Sequence, residues 1–341
     1  MQPQPRQQQR ERWLAECLDR RGERLLEAPA DLRADASFRR FQRVHTDAGT
    51  RVLMDAPPER ENNSGFLAVA AWLERADLPA PRVLAADEAA GFLLVTDLGD
   101  DTLARAVAAS PGQADALYDA AVDALVAFQT AGLRDRPALP AYDDARLELE
   151  NGIFGEWYLA GRLGLPAAPP VLTDALAALT AEHLAAPRVP VHLDWHGRNL
   201  LPAPGGAMAM VDFQDARIGP QGYDLVSLLR DCYTTLPAAR VERLLARFLD
   251  AAETAGLPGV DDADAFRRTF DLVGMQRHLK AIGIFARLSL RDRRPHALPD
   301  IPRTLDYLLA VAPRHPETAD LAAWLATEVV PREAALIGEA P

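Results

Sequence analysis

The sequence predicts an α+β protein in which a small strand-rich part precedes a large, mainly helical part. Three observations predict it. Short apolar runs crowd residues 41–96, long stretches with apolar residues three and four apart dominate from about 112 onward, and the pattern changes at Asp97-Leu98-Gly99-Asp100. At 341 residues the chain has room for one large or two medium domains.

Each element has its own reason. Residues 1–10 are polar and rich in Gln and Pro, which favours a frayed start. Trp13, Leu14, Cys17, Leu18 and Leu25 then recur at helical spacing. Phe41 and Val44 mark a first strand, Arg51–Asp55 a second, and Arg82–Ala85 and Phe92–Thr96 two more, with a helix over Gly65–Glu74 between them. Beyond Asp100, helices are expected at about 112–131, 144–163, 171–186, 223–235, 238–255 and 262–288. Two strand-like runs interrupt them, Val189–Leu193 and Met208–Phe213, and read as one hairpin with Pro204-Gly205-Gly206 in the connection.

Composition excludes several classes of function. Hydrophobic residues at 49% and charged residues at 25% suit a globular chain with a substantial core. A net charge of −12 argues against nucleic acid or an anionic membrane surface as the main partner. Cys17 and Cys232 stand alone in apolar helical patterns, so neither a disulfide framework nor a zinc site is expected. The first residues lack the apolar stretch of a signal peptide, and no apolar run is long enough to span a bilayer. A reducing, cytoplasmic setting follows as the expectation.

The chemistry concentrates in His192-Leu-Asp-Trp-His-Gly-Arg-Asn199 and in Val211-Asp212-Phe213-Gln214-Asp215. Asp194 precedes Asn199 by five residues, and Asp212 ends an apolar run 18 residues after Asp194. Phosphoryl transfer needs a carboxylate to accept the proton of the attacking hydroxyl, oxygen ligands for magnesium and a rigid frame. Asp194 suits the first task, and Asn199 and Asp212 the second. The competing reading of His192-x-Asp-x-His196 is a zinc site, though the seven histidines form no second such cluster. Trp195, beside the base, has either a sugar ring or the protein core to stack against.

These motifs resemble the aminoglycoside phosphotransferase and choline kinase superfamily, relatives of the protein kinases. Within it, Asp35-Ala-Ser-Phe-Arg-Arg-Phe41, Met54-Asp-Ala-Pro-Pro-Glu59 and Gln276–Arg287 resemble the bacterial anomeric N-acetylmuramate/N-acetylglucosamine kinases, as do Asp212–Pro220 and Tyr223–Asp231. The resemblance covers about residues 12–335. It implies a two-lobed protein-kinase-like fold, with a nucleotide-binding lobe at 1–98 and a catalytic and acceptor-binding lobe at 99–341. The implied reaction takes ATP and Mg²⁺ and phosphorylates a small-molecule sugar at its C1 hydroxyl, in cell-wall sugar recycling. Ser37, Phe38, Arg39 and Arg40 resemble the loop over the ATP phosphates, and Val95, Thr96, Asp97 and Leu98 the segment that meets adenine. Asp224 resembles the buried aspartate that braces the catalytic loop, and His192 reads as its structural companion.

One departure stands out. Such kinases carry a lysine on the third strand paired with a helix glutamate, yet Lys280 is the only lysine in this chain and Gly65–Glu74 has no internal glutamate. Arg40 or Arg43 is then expected to supply the charge, unless magnesium and backbone amides suffice. For the acceptor, the candidates are His196, Asp215, Glu156 and Trp157, together with Arg277, His278 and Lys280, three possible cations on one helix that suit the carboxylate of N-acetylmuramate. An exposed, solvated helix face is the plain alternative for those three. Another hydroxyl acceptor (an aminoglycoside, choline or homoserine) and a non-catalytic nucleotide-binding scaffold are the rival functions.

Overall fold

The structure, a computed structural model, describes residues 6–32, 38–135 and 138–338. The chain divides into two compact units, residues 1–102 with 200–215, and residues 103–199 with 216–341.

The first unit is built on an antiparallel sheet of order β1-β2-β3-β5-β4, formed by Ala30–Asp31, Arg40–Thr46, Gly49–Asp55, Val83–Asp87 (β4) and Phe92–Thr96 (β5). Side chains alternate across a pleated strand, so the register sorts them by face. Gln42, Leu53 and Leu94 share one face, while Arg43, Val52 and Val95, with Phe41, Met54 and Leu93, share the other. Helix α1 (Arg6–Arg21) covers the first face, burying Trp13, Leu14, Cys17 and Leu18 against Val44, Leu53, Phe92 and Leu94. Each such leucine contributes about 2 kcal/mol by leaving water. Arg6 and Arg10 close the edge of this layer by pairing with Asp55 at 2.6 and 3.1 Å. Helix α2 (Asn63–Arg75) begins where the Asn62 side chain accepts the N–H of Gly65 at 3.0 Å.

Strands β7 (Leu200–Pro202) and β8 (Met208–Met210) also belong to this unit. Met210 N–H reaches Pro79 O at 2.9 Å, and Phe213 stacks on Phe66 with centroids 5.0 Å apart. The single hairpin expected from 189–193 and 208–213 is therefore corrected. β7 pairs with β8 across the Pro-Gly-Gly turn, while β6 (Arg188–Val191) pairs with β9 (Arg217–Pro220) in the second unit.

The second unit is helical. Its helices are α3 (Leu103–Ala109), α4 (Ala114–Arg134), α5 (Asp144–Ile153), α6 (Pro170–Ala185), α7 (Tyr223–Leu229), α8 (Ala238–Thr254), α9 (Ala263–Leu290), α10 (Ile301–Val311), α11 (Ala319–Trp324) and α12 (Val330–Gly338). α9 is the axis: all residues from Phe270 to Leu279 are buried, so helices surround it on every side. Gly283 lets it approach the end of α5, because a Cβ there would lie 2.6 Å from the Ile153 carbonyl carbon. Two boundaries differ from expectation. The helix expected over 144–163 passes into a π-turn at Phe154–Ala160, and α7 stops at Leu229 rather than 235. The stop has a cause: Asp231 turns its carboxylate onto the Tyr233 N–H at 2.7 Å, a local bond that competes with helix.

Candidate active site

The loop from His192 to Asn199 leaves β6 in the buried core of the second unit. Asp224, in the first turn of α7, accepts the His192 N–H at 2.6 Å and the Leu193 N–H at 2.9 Å. These bonds hold Leu193 at φ 77°, a left-handed conformation that a leucine adopts only when its surroundings dictate it. Burial pushes the Asp224 carboxyl up to about 7, against the pull of its two backbone donors and Arg277 and with the help of nearby Asp194. His192 Nδ1 then accepts the Asp194 N–H at 3.3 Å. The Asp194 carbonyl accepts His196 N–H at 3.0 Å and Asn199 Nδ2 at 3.1 Å, and Gly197 N–H bonds Asp231 at 3.2 Å.

Every turn of this loop is thus bonded to something, yet among the described residues nothing donates to the Asp194 carboxylate, which is half-exposed. It is free to accept a proton from a hydroxyl. Trp195 is fully buried, its indole N–H on Ala121 O at 3.3 Å and its ring against Phe128, so it packs the core and faces no sugar. His196 is buried edge-on to Tyr233, with Nδ1 accepting the Arg198 N–H.

The oxygen donors fit magnesium in kind. Because the Asn199 amide nitrogen is spent on Asp194 O, its oxygen is the group left to ligate. Asp212, in the first unit, is exposed, sits at φ 64° just beyond β8, and uses Oδ1 to accept Gln214 Nε2 at 2.7 Å, leaving its other oxygen. Asp215 is exposed on the following turn. Among the described residues no group of three His, Cys, Asp or Glu side chains is arranged to hold a metal ion. Magnesium does not need one, since it takes one or two protein oxygens beside substrate phosphates.

In the first unit Arg39 and Arg43 are already engaged. Ser37 lies outside the described residues. Glu61 accepts the Phe38 N–H at 3.0 Å with one oxygen and pairs with buried Arg39 at 3.1 Å with the other. This pair joins an arginine, not the third-strand lysine that the chain lacks, to a glutamate that lies just before α2 rather than inside it. Arg40 is exposed on the sheet face that α1 covers. Arg43 lies on the opposite face, donating to Asp97 at 2.7 and 3.2 Å and to Asp100 at 2.7 and 3.0 Å. Those bonds, Asp100 first, hold its guanidinium above its usual range and tie β2 to the 95–98 segment. There Val95 is buried, Thr96 Oγ1 accepts the Arg82 N–H at 2.9 Å, and Leu98 is half-buried.

The three cations expected on α9 are not an exposed face. Arg277 and His278 are buried, and Lys280 is nearly so. His278 is no cation: burial drives its pKa down to about 3, Nε2 meets Arg230 O at 2.9 Å, and the ring stacks on Tyr307. Lys280 bonds Tyr223 OH at 2.7 Å and pairs with Glu150 at 3.1 Å, so its charge is compensated. Arg277 makes only a 3.5 Å contact to the Cys232 thiol and forms no ion pair among the described residues. Burial opposes its charge, but Cys232, Tyr223, Asp194 and Asp231 around it hold the guanidinium above its ordinary value. Glu156 is exposed and Trp157 half-buried on the π-turn.

Residues 30–266 match the family model described as "Phosphotransferase enzyme family". The chain belongs to that family. This phosphotransferase is 43% identical over 299 residues to the N-acetylmuramate/N-acetylglucosamine kinase of Pseudomonas putida, covering 84% of each chain. It is 42% identical over 308 residues to the protein of that name in Pseudomonas aeruginosa, covering 88% of this chain and 89% of that one. Among solved structures it resembles choline kinase LicA from Streptococcus pneumoniae, with TM-score 0.63, 11% identity, and 88% and 99% of the two chains covered. A putative aminoglycoside phosphotransferase from Ralstonia eutropha gives 0.59 at 15% identity, covering 86% and 97%. Those likenesses establish the protein-kinase-like fold: a small antiparallel sheet unit and a mostly helical one.

Sequence reasoning passed over four residues of the phosphotransferase loop and its surroundings. Asp231 pins Gly197; Tyr233 carries the Arg198 guanidinium 3.6 Å from its ring centroid; and Glu150, with Tyr142 and Arg146 on its carboxylate, holds Lys280. A signal existed only for Arg198, a cation inside the motif itself.

Proposed function

We propose that this phosphotransferase moves the γ-phosphoryl group of ATP to the C1 hydroxyl of N-acetylmuramate and N-acetylglucosamine, in cell-wall sugar recycling. The observation that carries the proposal is the Asp194 carboxylate, half-exposed and without a donor on a loop whose every turn is bonded. The relatives at 42–43% identity, by their names, support the choice of sugars.

Asp194 accepts the proton of the C1 hydroxyl as the sugar oxygen bonds to phosphorus and the bond from phosphorus to the bridging oxygen of ADP breaks. A hemiacetal hydroxyl is more acidic than an ordinary alcohol, so a carboxylate of modest basicity suffices. Asn199 and Asp212 would hold magnesium, which supplies charge neutralisation for the phosphate oxygens when bound. Ser37–Arg40 are assigned to the phosphates and Val95–Leu98 to adenine. On the acceptor side, Arg277 is the cation left for the lactyl carboxylate, because Lys280 already has Glu150 and His278 is neutral. His196, Asp215, Glu156 and Trp157 remain assigned to sugar contacts.

Among the described residues no helix is long and apolar enough to cross a membrane. Both cysteines are buried and unpaired, which supports a reducing, cytoplasmic setting. The test is turnover of MgATP with the two amino sugars, glucose, choline and kanamycin, followed by ³¹P NMR. An acid-labile C1 phosphate on the amino sugars, lost in Asp194→Asn, supports the reading. Product on kanamycin or choline alone would overturn it.

A further inference from the structure

The arginines of this acidic chain are mostly tied to carboxylates. Arg39 has Glu61, Arg43 has Asp97 and Asp100, Arg162 has Glu333, Arg230 has Asp271, and Arg243 and Arg247 share Asp115, Asp119 and Asp123. Arg39 and Arg43, the cations of the first unit nearest the candidate nucleotide segments, therefore already carry carboxylate partners.

Arg198 is built differently. It is exposed, stands between Gly197 and the candidate metal ligand Asn199, and forms no ion pair among the described residues. Its guanidinium lies 3.6 Å from the Tyr233 ring centroid, a stacking distance that fixes the group while leaving its N–H edge open. The platform is fixed in turn. One Asp231 oxygen accepts the Tyr233 N–H at 2.7 Å, and the other accepts the Gly197 N–H at 3.2 Å. One carboxylate thus sets both the loop that carries Arg198 and the ring on which it rests. Tyr233 is half-buried, with the ring of His196, two residues after Asp194, edge-on to it at 5.2 Å between centroids.

We infer that Arg198 is a catalytic residue whose guanidinium contacts the transferred phosphoryl oxygens, supplying from the catalytic loop the cation that the lysine-free sheet lacks. Its planar fork suits two phosphoryl oxygens, and charge gathers on those oxygens during transfer. The inference rests on the kinase reading above, and deepens it.

Arg198 is exposed, so Arg198→Ala removes no core contact; a thermal melt confirms that the variant is folded. The expected result is a fall in kcat of about 100-fold or more, with sugar KM changed less than about threefold. Added guanidinium ion restores about a tenth of the lost rate, which a merely structural role would not permit. A kcat within about threefold of wild type, or a loss carried wholly by sugar KM, overturns the inference. If wild type phosphorylates none of the sugars, the kinase reading fails on its own and nucleotide titration decides Arg198. An unchanged MgADP affinity with MgATP weakened about tenfold supports the phosphoryl contact. Equal MgATP affinity in both proteins overturns it.

Discussion

Replacing Asp224 by asparagine tests how the catalytic loop is held. The carboxylate accepts two backbone N–H groups, at 2.6 and 2.9 Å, in a fully buried site. Asparagine has one oxygen, so one bond survives without its charge and the other N–H meets an amide that is itself a donor. Losing a charge-assisted bond and leaving a buried donor unsatisfied costs about 2–4 kcal/mol together. If the loop relaxes from the strained Leu193 conformation before each turnover, kcat falls about 30- to 1,000-fold. The pH profile adds an independent readout. The Asp224 carboxyl titrates at about 7 in the fold against 3.8 as an ordinary aspartate. Its contribution to stability is therefore fully present below 3.8 and lost as pH rises through 7, the reverse of a salt-bridged aspartate. The brace, however, needs the ionised form. Wild-type kcat should then show an acid limb near 7 with no parallel loss of thermal stability from this residue, and Asp224→Asn should be slow without that limb. Steady-state kinetics from pH 5.5 to 8.5, with melts at each pH, give both answers. A folded variant with kcat within threefold of wild type and an unchanged acid limb would refute the reasoning.

Glu61→Ala removes the acceptor of the Phe38 N–H and the carboxylate paired with Arg39, and KM for ATP should rise about tenfold while sugar KM stays put; an unchanged KM for ATP counts against a nucleotide role for this segment. His183 is fully buried on Tyr142 with neither ring nitrogen hydrogen-bonded among the described residues, and burial drives its pKa from 6.5 to about 3. Between those values the unfolded chain binds the extra proton, so acid removes stability, about 1.4 kcal/mol at pH 5.5. His183→Phe should reduce the stability difference between pH 7.5 and 5.5 by that amount in urea melts, packing changes cancelling in the difference, and an undiminished difference rejects the assignment. Gly283→Ala forces a Cβ to 2.6 Å from the Ile153 backbone, and a destabilisation of about 2–3 kcal/mol should appear as a lowered Tm.

What was legible in the sequence follows from how local each signal was. The helix read at 262–288 appears at 263–290, and strand 92–96 appears where it was placed, because their apolar patterns are continuous. The spacing of Asp194 and Asn199 placed both on one loop, and the structure joins them there by a bond from Asn199 Nδ2 to the Asp194 carbonyl. The pairing of β6 with β9 did not, since it joins segments separated by a whole hairpin and neither run states its partner. The burial of Arg277 was hidden for a related reason. α9 is buried around its full circumference at mid-length, so its polar residues mark no outer face. Helices α10, α11 and α12 were missed because Pro295, Pro299, Pro302, Pro313, Pro316 and Pro331 punctuate their segment; Pro302 sits within the first turn of α10, where a missing N–H costs little.

The distribution of charge explains how an acidic chain can handle polyanions. A buried unpaired cation is expensive, several kcal/mol after relaxation, and is kept only where something repays it. Pairing Arg39, Arg43 and Lys280 with carboxylates spends those charges on structure. Arg198 and Arg277 are among the arginines that form no ion pair among the described residues, and both belong to the unit that carries Asp194. Arg277 acts electrostatically on Asp224 and is itself acted on by Asp194, so its charge bears on the brace and the base at once. Their positions give the two guanidinium groups separable tasks. Arg198, exposed on the loop, can meet a phosphoryl group that arrives and leaves, whereas Arg277, sealed in the core of α9, favours the ionised state of Asp224 even before an anionic acceptor binds. On the proposed reading, negative charge in transit meets positive charge carried by the helical unit rather than by a lysine of the sheet.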